Sequence, residues 1–111
     1  MPDGFFAVAS VTTPTPERYA KQLLSHLGHK ATVSPLEVGP AGSGLLQLSR
    51  GVGVVVPADG TLLMQAFAAT EEDLLVVQDV LARHLVRFGA RQELTVEWVP
   101  GAGGGTTASE G

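Results

Sequence analysis

Cysteine is absent from this sequence, which removes disulfides and thiolate metal sites from its chemistry. Aromatic residues are scarce at 5%, so Leu, Val and Ala must fill most of the interior that an apolar fraction of 44% can supply. No run of Lys or Arg occurs. The seven basic residues are scattered between Arg18 and Arg91, and the formal net charge is −4. Nucleic-acid binding rests first on clustered cations that neutralise phosphates, so no nucleic-acid partner is expected. No apolar stretch approaches the roughly 20 residues that span a bilayer. The segment Met1-Pro2-Asp3-Gly4-Phe5-Phe6 lacks the basic region and unbroken apolar run of a secretory signal. The expectation is a soluble, cytoplasmic protein with no membrane partner. Its 111 residues suit one domain, taken as residues 1–100, followed by a Gly-rich tail, 101–111, too polar and glycine-rich to order itself.

What is present divides cleanly into strands and helices. Phe5 to Thr13 is rich in Phe, Val and Thr and reads as a strand, stopped by Thr13-Pro14-Thr15-Pro16. Thr15 as N-cap, Pro16 at the first helical position and Glu17 in the first turn start a helix that runs to about Leu27. Ala20, Leu23, Leu24 and Leu27 form its buried stripe, and Gly28 offers a left-handed C-terminal position. Ala31 to Val38 reads as a strand that Pro35 confines to a sheet edge. A loop through Gly39–Gly44 leads to Leu45–Ser49 and Val52–Val56, two short strands or one bent strand around Arg50-Gly51; Asp59-Gly60 then turns the chain into Thr61–Ala68. Thr70 and Asp73 make a near capping box for a second helix reaching about Phe88, with Leu74, Val77, Leu81, Leu85 and Phe88 on one stripe widened by Val76 and Val80. Leu94 to Val99 alternates as a last strand.

The order β-α-β-β-β-(β)-α-β contains two helices, too few for a parallel doubly wound sheet. The fold class expected is α+β: an antiparallel sheet of five to six strands with both helices packed on one face.

Candidate chemistry lies near the helix ends. Tyr19, Gln22 and His26 are three and four residues apart and share a flank of the first helix, with His29 and Lys30 just beyond it. His84 falls on the apolar face of the second helix, with Arg87 four residues from Arg83 and from Arg91. Two helices on one sheet face must touch, so His84 is expected to approach Tyr19 or His26. Such a cluster could recognise an anion or ligate a metal. Each member has a plainer reading. A histidine in an apolar stripe is commonly a core residue donating to a carbonyl; Tyr19 suits the core edge with its hydroxyl at the surface; and the arginines suit a solvated helix face facing Asp79. His26-x-x-His29 lacks a carboxylate or thiol to complete a metal set. Gly51-x-Gly53 precedes a strand rather than a helix, so close backbone packing or a bulge explains it better than a dinucleotide site. Ser25-His26 has no nucleophile-elbow context.

Two spaced motifs carry a family likeness. The run Arg18-Tyr19-x-x-Gln22-Leu23-x-x-His26-x-x-His29-Lys30, followed by His84-Leu85-x-Arg87-Phe88-x-x-Arg91-x-x-Leu94-x-Val96-x-Trp98, resembles the bacterial "domain of unknown function 2218" family over about residues 7–99, with Gly39–Ser49 diverging. That resemblance implies no established activity. It implies a small bacterial protein, in some members joined to a siderophore-interacting, flavin-dependent ferric-reductase module that these 111 residues do not contain. It also implies that Tyr19, His26, His29, Lys30, His84, Arg87 and Arg91 belong to the family pattern, without assigning them a role. The leading expectation is a non-catalytic binding or accessory module for a small anionic ligand or an iron-siderophore chelate, working beside a separate ferric-siderophore reductase and needing no resident cofactor. A small metal-dependent or acid/base enzyme using His26, His29 and His84 is one alternative. A structural domain that forms a homodimer through an uncovered sheet face is the other, since apolar residues fall on both sides of some strands, as at Leu62/Leu63 and Trp98/Val99.

Overall fold

Strict alternation of buried and half-exposed side chains runs along the long strands, and it builds one sheet with one dry face. The computed structural model describes residues 4–29, 31–36, 41–89 and 94–100. The elements in chain order are β1 (Phe5–Thr12), α1 (Pro16–Leu27), β2 (Thr32–Pro35), β3 (Gly44–Gln47), β4 (Val52–Ala58), β5 (Thr61–Ala68), α2 (Glu71–Phe88) and β6 (Val99–Pro100). The six strands form a single antiparallel sheet in the order β2-β3-β4-β5-β1-β6. The α+β class, the two helices and the antiparallel sheet are as the sequence predicts, with the full complement of six strands. The expected tail over 101–111 lies outside the described residues.

Register explains the dry face. Ala7, Ala9 and Val11 of β1 pair with Ala66, Met64 and Leu62 of β5, whose other neighbours are Gly53, Val55 and Pro57 of β4. All of these are buried, and Leu46 of β3 continues the row beside Gly53. Over them α1 lays Tyr19, Ala20, Leu23 and Leu27, and α2 lays Leu74, Val77, Leu81 and Leu85. Both helices therefore cover the same side. The Gly51-x-Gly53 pair is what lets α2 sit low. A Cβ at Gly53 would lie 3.1 Å from a Leu81 methyl, and one at Gly51 would overlap the Phe67 carbonyl oxygen and stand 2.9 Å from Val77 Cγ2. Close backbone packing is the reason for these glycines, and the hairpin glycine Gly60 supplies the positive φ of +67° that the β4–β5 turn requires.

Several local expectations need correction. Gly28 does not adopt a left-handed conformation: at φ −61° it continues the right-handed turn, with its N–H donating to the Leu24 carbonyl at 3.0 Å. The predicted last strand from Leu94 shrinks to Val99–Pro100, because only these residues find ladder partners, on Ala7 and Val8 of β1. Leu94, Val96 and Trp98 still pack against the core, so the alternation reported burial and not pairing. Tyr19 is 6% exposed and lies inside the core, not at its edge. Edge placement of the Pro35 strand is as expected, though β2 covers only Thr32–Pro35.

The two helix starts differ. Thr70 accepts a hydrogen bond from the Asp73 N–H at 3.1 Å, whereas Thr15 makes no side-chain cap and its hydroxyl is buried without a partner among the described residues. Thr70→Ala should therefore cost about 1 kcal/mol, and Thr15→Ala much less, since it removes an unpaired buried group. Urea unfolding of both variants checks this; equal losses would contradict the difference in caps.

Candidate functional site

Helix packing brings the two motif-bearing segments together at one seam. The His26 ring, from the last turn of α1, stands 5.3 Å from the His84 ring at 49° and 5.3 Å from Phe88, edge to face at 81°. The Tyr19 hydroxyl, two turns earlier, reaches the neighbourhood of Gly89 just past the end of α2. Gln22 lies between Tyr19 and His26 on this flank, and its amide oxygen is buried without a partner among the described residues.

His84 is half-buried and bonded at Nδ1 to the Val80 carbonyl, 2.7 Å away. A carbonyl only accepts, so Nδ1 carries the proton. The neutral ring then presents Nε2 as an acceptor, and the charged ring presents it as a donor. The bond also fixes the ring on its own helix. This is the carbonyl-donating arrangement that a histidine in an apolar stripe adopts, with the second nitrogen left available.

Of the remaining candidates, the two that are described make no side-chain bond or ring contact with the pair. His29 and Arg87 are exposed, and neither side chain makes a hydrogen bond, ion pair or ring contact with another described residue. Lys30 and Arg91 lie outside the described residues. Among the described residues no group of three or more His, Asp or Glu side chains is placed to hold a metal ion. The set His26, His29 and His84 is thus reduced to two neighbouring imidazoles.

On the other flank of His84 is a cleft of about 170 Å³ between α2, the end of α1 and the β3–β4 turn. Leu27, Val77 and Val80 give it an apolar floor, and Arg50, Arg83 and His84 stand at its rim. Arg50 was not among the residues singled out from the sequence. The β3–β4 turn presents it: the Leu48 N–H donates to the Gly51 carbonyl at 2.8 Å, and Arg50 then pairs with Asp73 in the first turn of α2 at 2.8 Å. The only signal for this in the sequence was Arg50-Gly51-x-Gly53 itself, because the glycines mark where the turn meets the helix. Arg83 faces Asp79 at 3.6 Å, with both side chains about two-thirds exposed. An exposed pair four residues apart on a helix is worth only ~0.3–0.5 kcal/mol. Arg83 can therefore turn to a ligand at small cost, while Arg50 keeps the rest of its guanidinium donors free of Asp73.

A second groove of about 590 Å³ lies beside α1, lined by Leu24 and Val33 together with Glu17 and Lys21. It offers one charge of each sign and no convergence of donors.

Comparison with known proteins bears on fold and family. The model of a family described as "Uncharacterized protein conserved in bacteria (DUF2218)" matches residues 8–99. The solved structure described as the NMR structure of PA4090 from Pseudomonas aeruginosa is 26% identical and superposes with a TM-score of 0.69, over 86% of this chain and 95% of that one. A hydantoinase/carbamoylase family amidase from Burkholderia ambifaria is similar only at 12% identity and a TM-score of 0.37, over 88% of this chain and 27% of its own. No curated protein matches the sequence.

Proposed function

We propose that this chain, which belongs to the bacterial DUF2218 family, is a small binding module that takes an anionic group with an apolar body in the cleft beside His84. The observation that carries the reading is the convergence of Arg50, Arg83 and His84 from two separate segments over the dry floor of Leu27, Val77 and Val80. Guanidinium groups suit a carboxylate because their paired N–H donors match its two oxygens, and the apolar floor suits the carbon skeleton behind it. Ser49 is the one hydroxyl among the residues that line the cleft, and no carboxylate stands with it, so the arrangement supports recognition of a carboxylate better than acid/base chemistry.

Size narrows the ligand. A protein cavity of ~150 Å³ admits a benzene ring, and this cleft of about 170 Å³ is of that order. One aromatic or short aliphatic acid fits within it. A ferric-siderophore chelate, the class that the family resemblance suggests, is larger and could place only one arm there, with the rest lying across the exposed end of α1 near His26.

The test is a titration of the isotopically labelled protein with benzoate, followed by backbone amide shifts. Shifts should concentrate at Leu48–Gly51 and along 76–84, and the double variant Arg50→Gln/Arg83→Gln should bind at least about tenfold more weakly, the loss expected of ~1.4 kcal/mol or more. Equal binding by the double variant, or shifts confined to the Lys21 groove, would reject the cleft as the site.

A further inference from the structure

Among the described residues no element covers the face of the sheet turned away from the helices, and none of its side chains is charged. Yet 16% of the chain is Asp, Glu, Lys or Arg. At the centre of this face Gln65 of β5 lies between Val8 of β1 and Val54 of β4. One step along the strands Phe6 stacks on Phe67, ring centroids 5.2 Å apart, with Val52 in register beside them. One step the other way Leu63, 37% exposed, sits next to Val56. A face of this composition is usually covered.

We propose that two copies of the chain dock here, sheet on sheet, about a two-fold axis passing near Gln65. Three observations choose a second copy over other occupants. The first is charge. Nucleic acid, an acidic peptide or an anionic surface needs cations to attract it, and this face has none among the described residues; a copy brings an equally uncharged face and incurs no repulsion. The second is geometry. Each carboxamide has both donor and acceptor, so Gln65 can pair with its own counterpart across a two-fold axis. The third is area. Strands spaced ~4.8 Å apart and up to eight residues long span roughly 500 Å² in plan, and side-chain relief raises this toward the ~800 Å² per partner of a standard interface.

The alternative route, strand addition at an edge, is blunted at both ends. The edge strands β2 and β6 have four and two residues, and each ends in a proline, Pro35 and Pro100. Proline gives no donor to a neighbouring strand, and short edges pair poorly. Face-to-face docking remains. It lies on the opposite side of the sheet from the His84 cleft, so it stands or falls independently of the binding function.

Sedimentation equilibrium of the full chain between about 1 and 100 µM brackets the micromolar constants that a face of this size can give. The wild type should be dimeric at the upper end. Gln65→Glu places two like charges at the axis and should weaken association by about 100-fold or more, while circular dichroism of the monomer stays that of the wild type. Leu63→Lys, at a position already partly exposed, should do the same and decides the matter if the first variant does not fold. A wild type that stays monomeric at 100 µM would overturn the proposal and leave the face to an unlike protein. A dimer indifferent to both substitutions would overturn it too, since association would then use another surface.

Discussion

Gly51→Ala is expected to lower unfolding free energy by about 3 kcal/mol or more, at or beyond the upper end of the usual range for overpacking. The added Cβ would overlap the Phe67 carbonyl oxygen, stand 2.9 Å from Val77 Cγ2 and 3.2 Å from Ala68 Cβ. A side chain can rotate away from a new methyl group, but the carbonyl of a strand bonded on both sides cannot. Strand β4 or helix α2 must therefore move. Movement there also displaces the turn carrying Arg50, so benzoate binding should fall with stability. Gly60→Ala is the control. Nothing lies within 4 Å of its Cβ position, and only the positive φ of +67° opposes a side chain, a cost of ~1–2 kcal/mol. Urea unfolding at equal slope measures both. A Gly51→Ala protein within ~0.5 kcal/mol of wild type, the scatter of ordinary surface substitutions, would show that the helix does not rest on β4 as described.

The second large effect is a contrast between two leucines of the same helix. Leu81 is completely buried against Gly53, whereas Leu75 is 61% exposed. Leu81→Ala should cost ~2–5 kcal/mol through lost burial and the cavity left under the helix. Leu75→Ala should stay within ~0.5 kcal/mol. Similar losses at the two positions would mean that α2 turns a different face to the sheet.

That contrast illustrates how much was legible beforehand. The stripe Leu74, Val77, Leu81 and Leu85 was readable because a helix repeats every 3.6 residues and its buried face must recur at that period. The first helix was equally clear, and so was the Asp59-Gly60 hairpin, whose turn chemistry is local. The last strand was misjudged for an instructive reason. Alternation at Leu94, Val96 and Trp98 records which side chains face the core, but a strand also needs a neighbour with free backbone groups, and only Val99 and Pro100 meet β1. Gly28 misled in a similar way: glycine permits a left-handed turn without requiring it.

The candidate site was half legible. Helical spacing put Tyr19, Gln22 and His26 on one flank, and two helices on one face had to meet, so the approach of His26 to His84 followed from pattern and topology together. Arg50 was out of reach. It belongs to a turn 23 residues before the Asp73 that orients it, and the glycines beside it mark a close approach without saying what Arg50 meets. His29 lies past the end of α1, where helical spacing no longer places it, and Arg87 is two residues, about half a turn, from the buried Leu85 of α2, so both are exposed.

By itself, then, the sequence determined the elements, their order and the class of fold, since propensity, capping and hydrophobic period act over a few residues. Register, the depth at which α2 sits on Gly51 and Gly53, and the union of Arg50, Arg83 and His84 around one cleft were decided only in the tertiary structure. Those depend on which distant backbones come within van der Waals distance, and contact between residues far apart in the chain leaves no period to read.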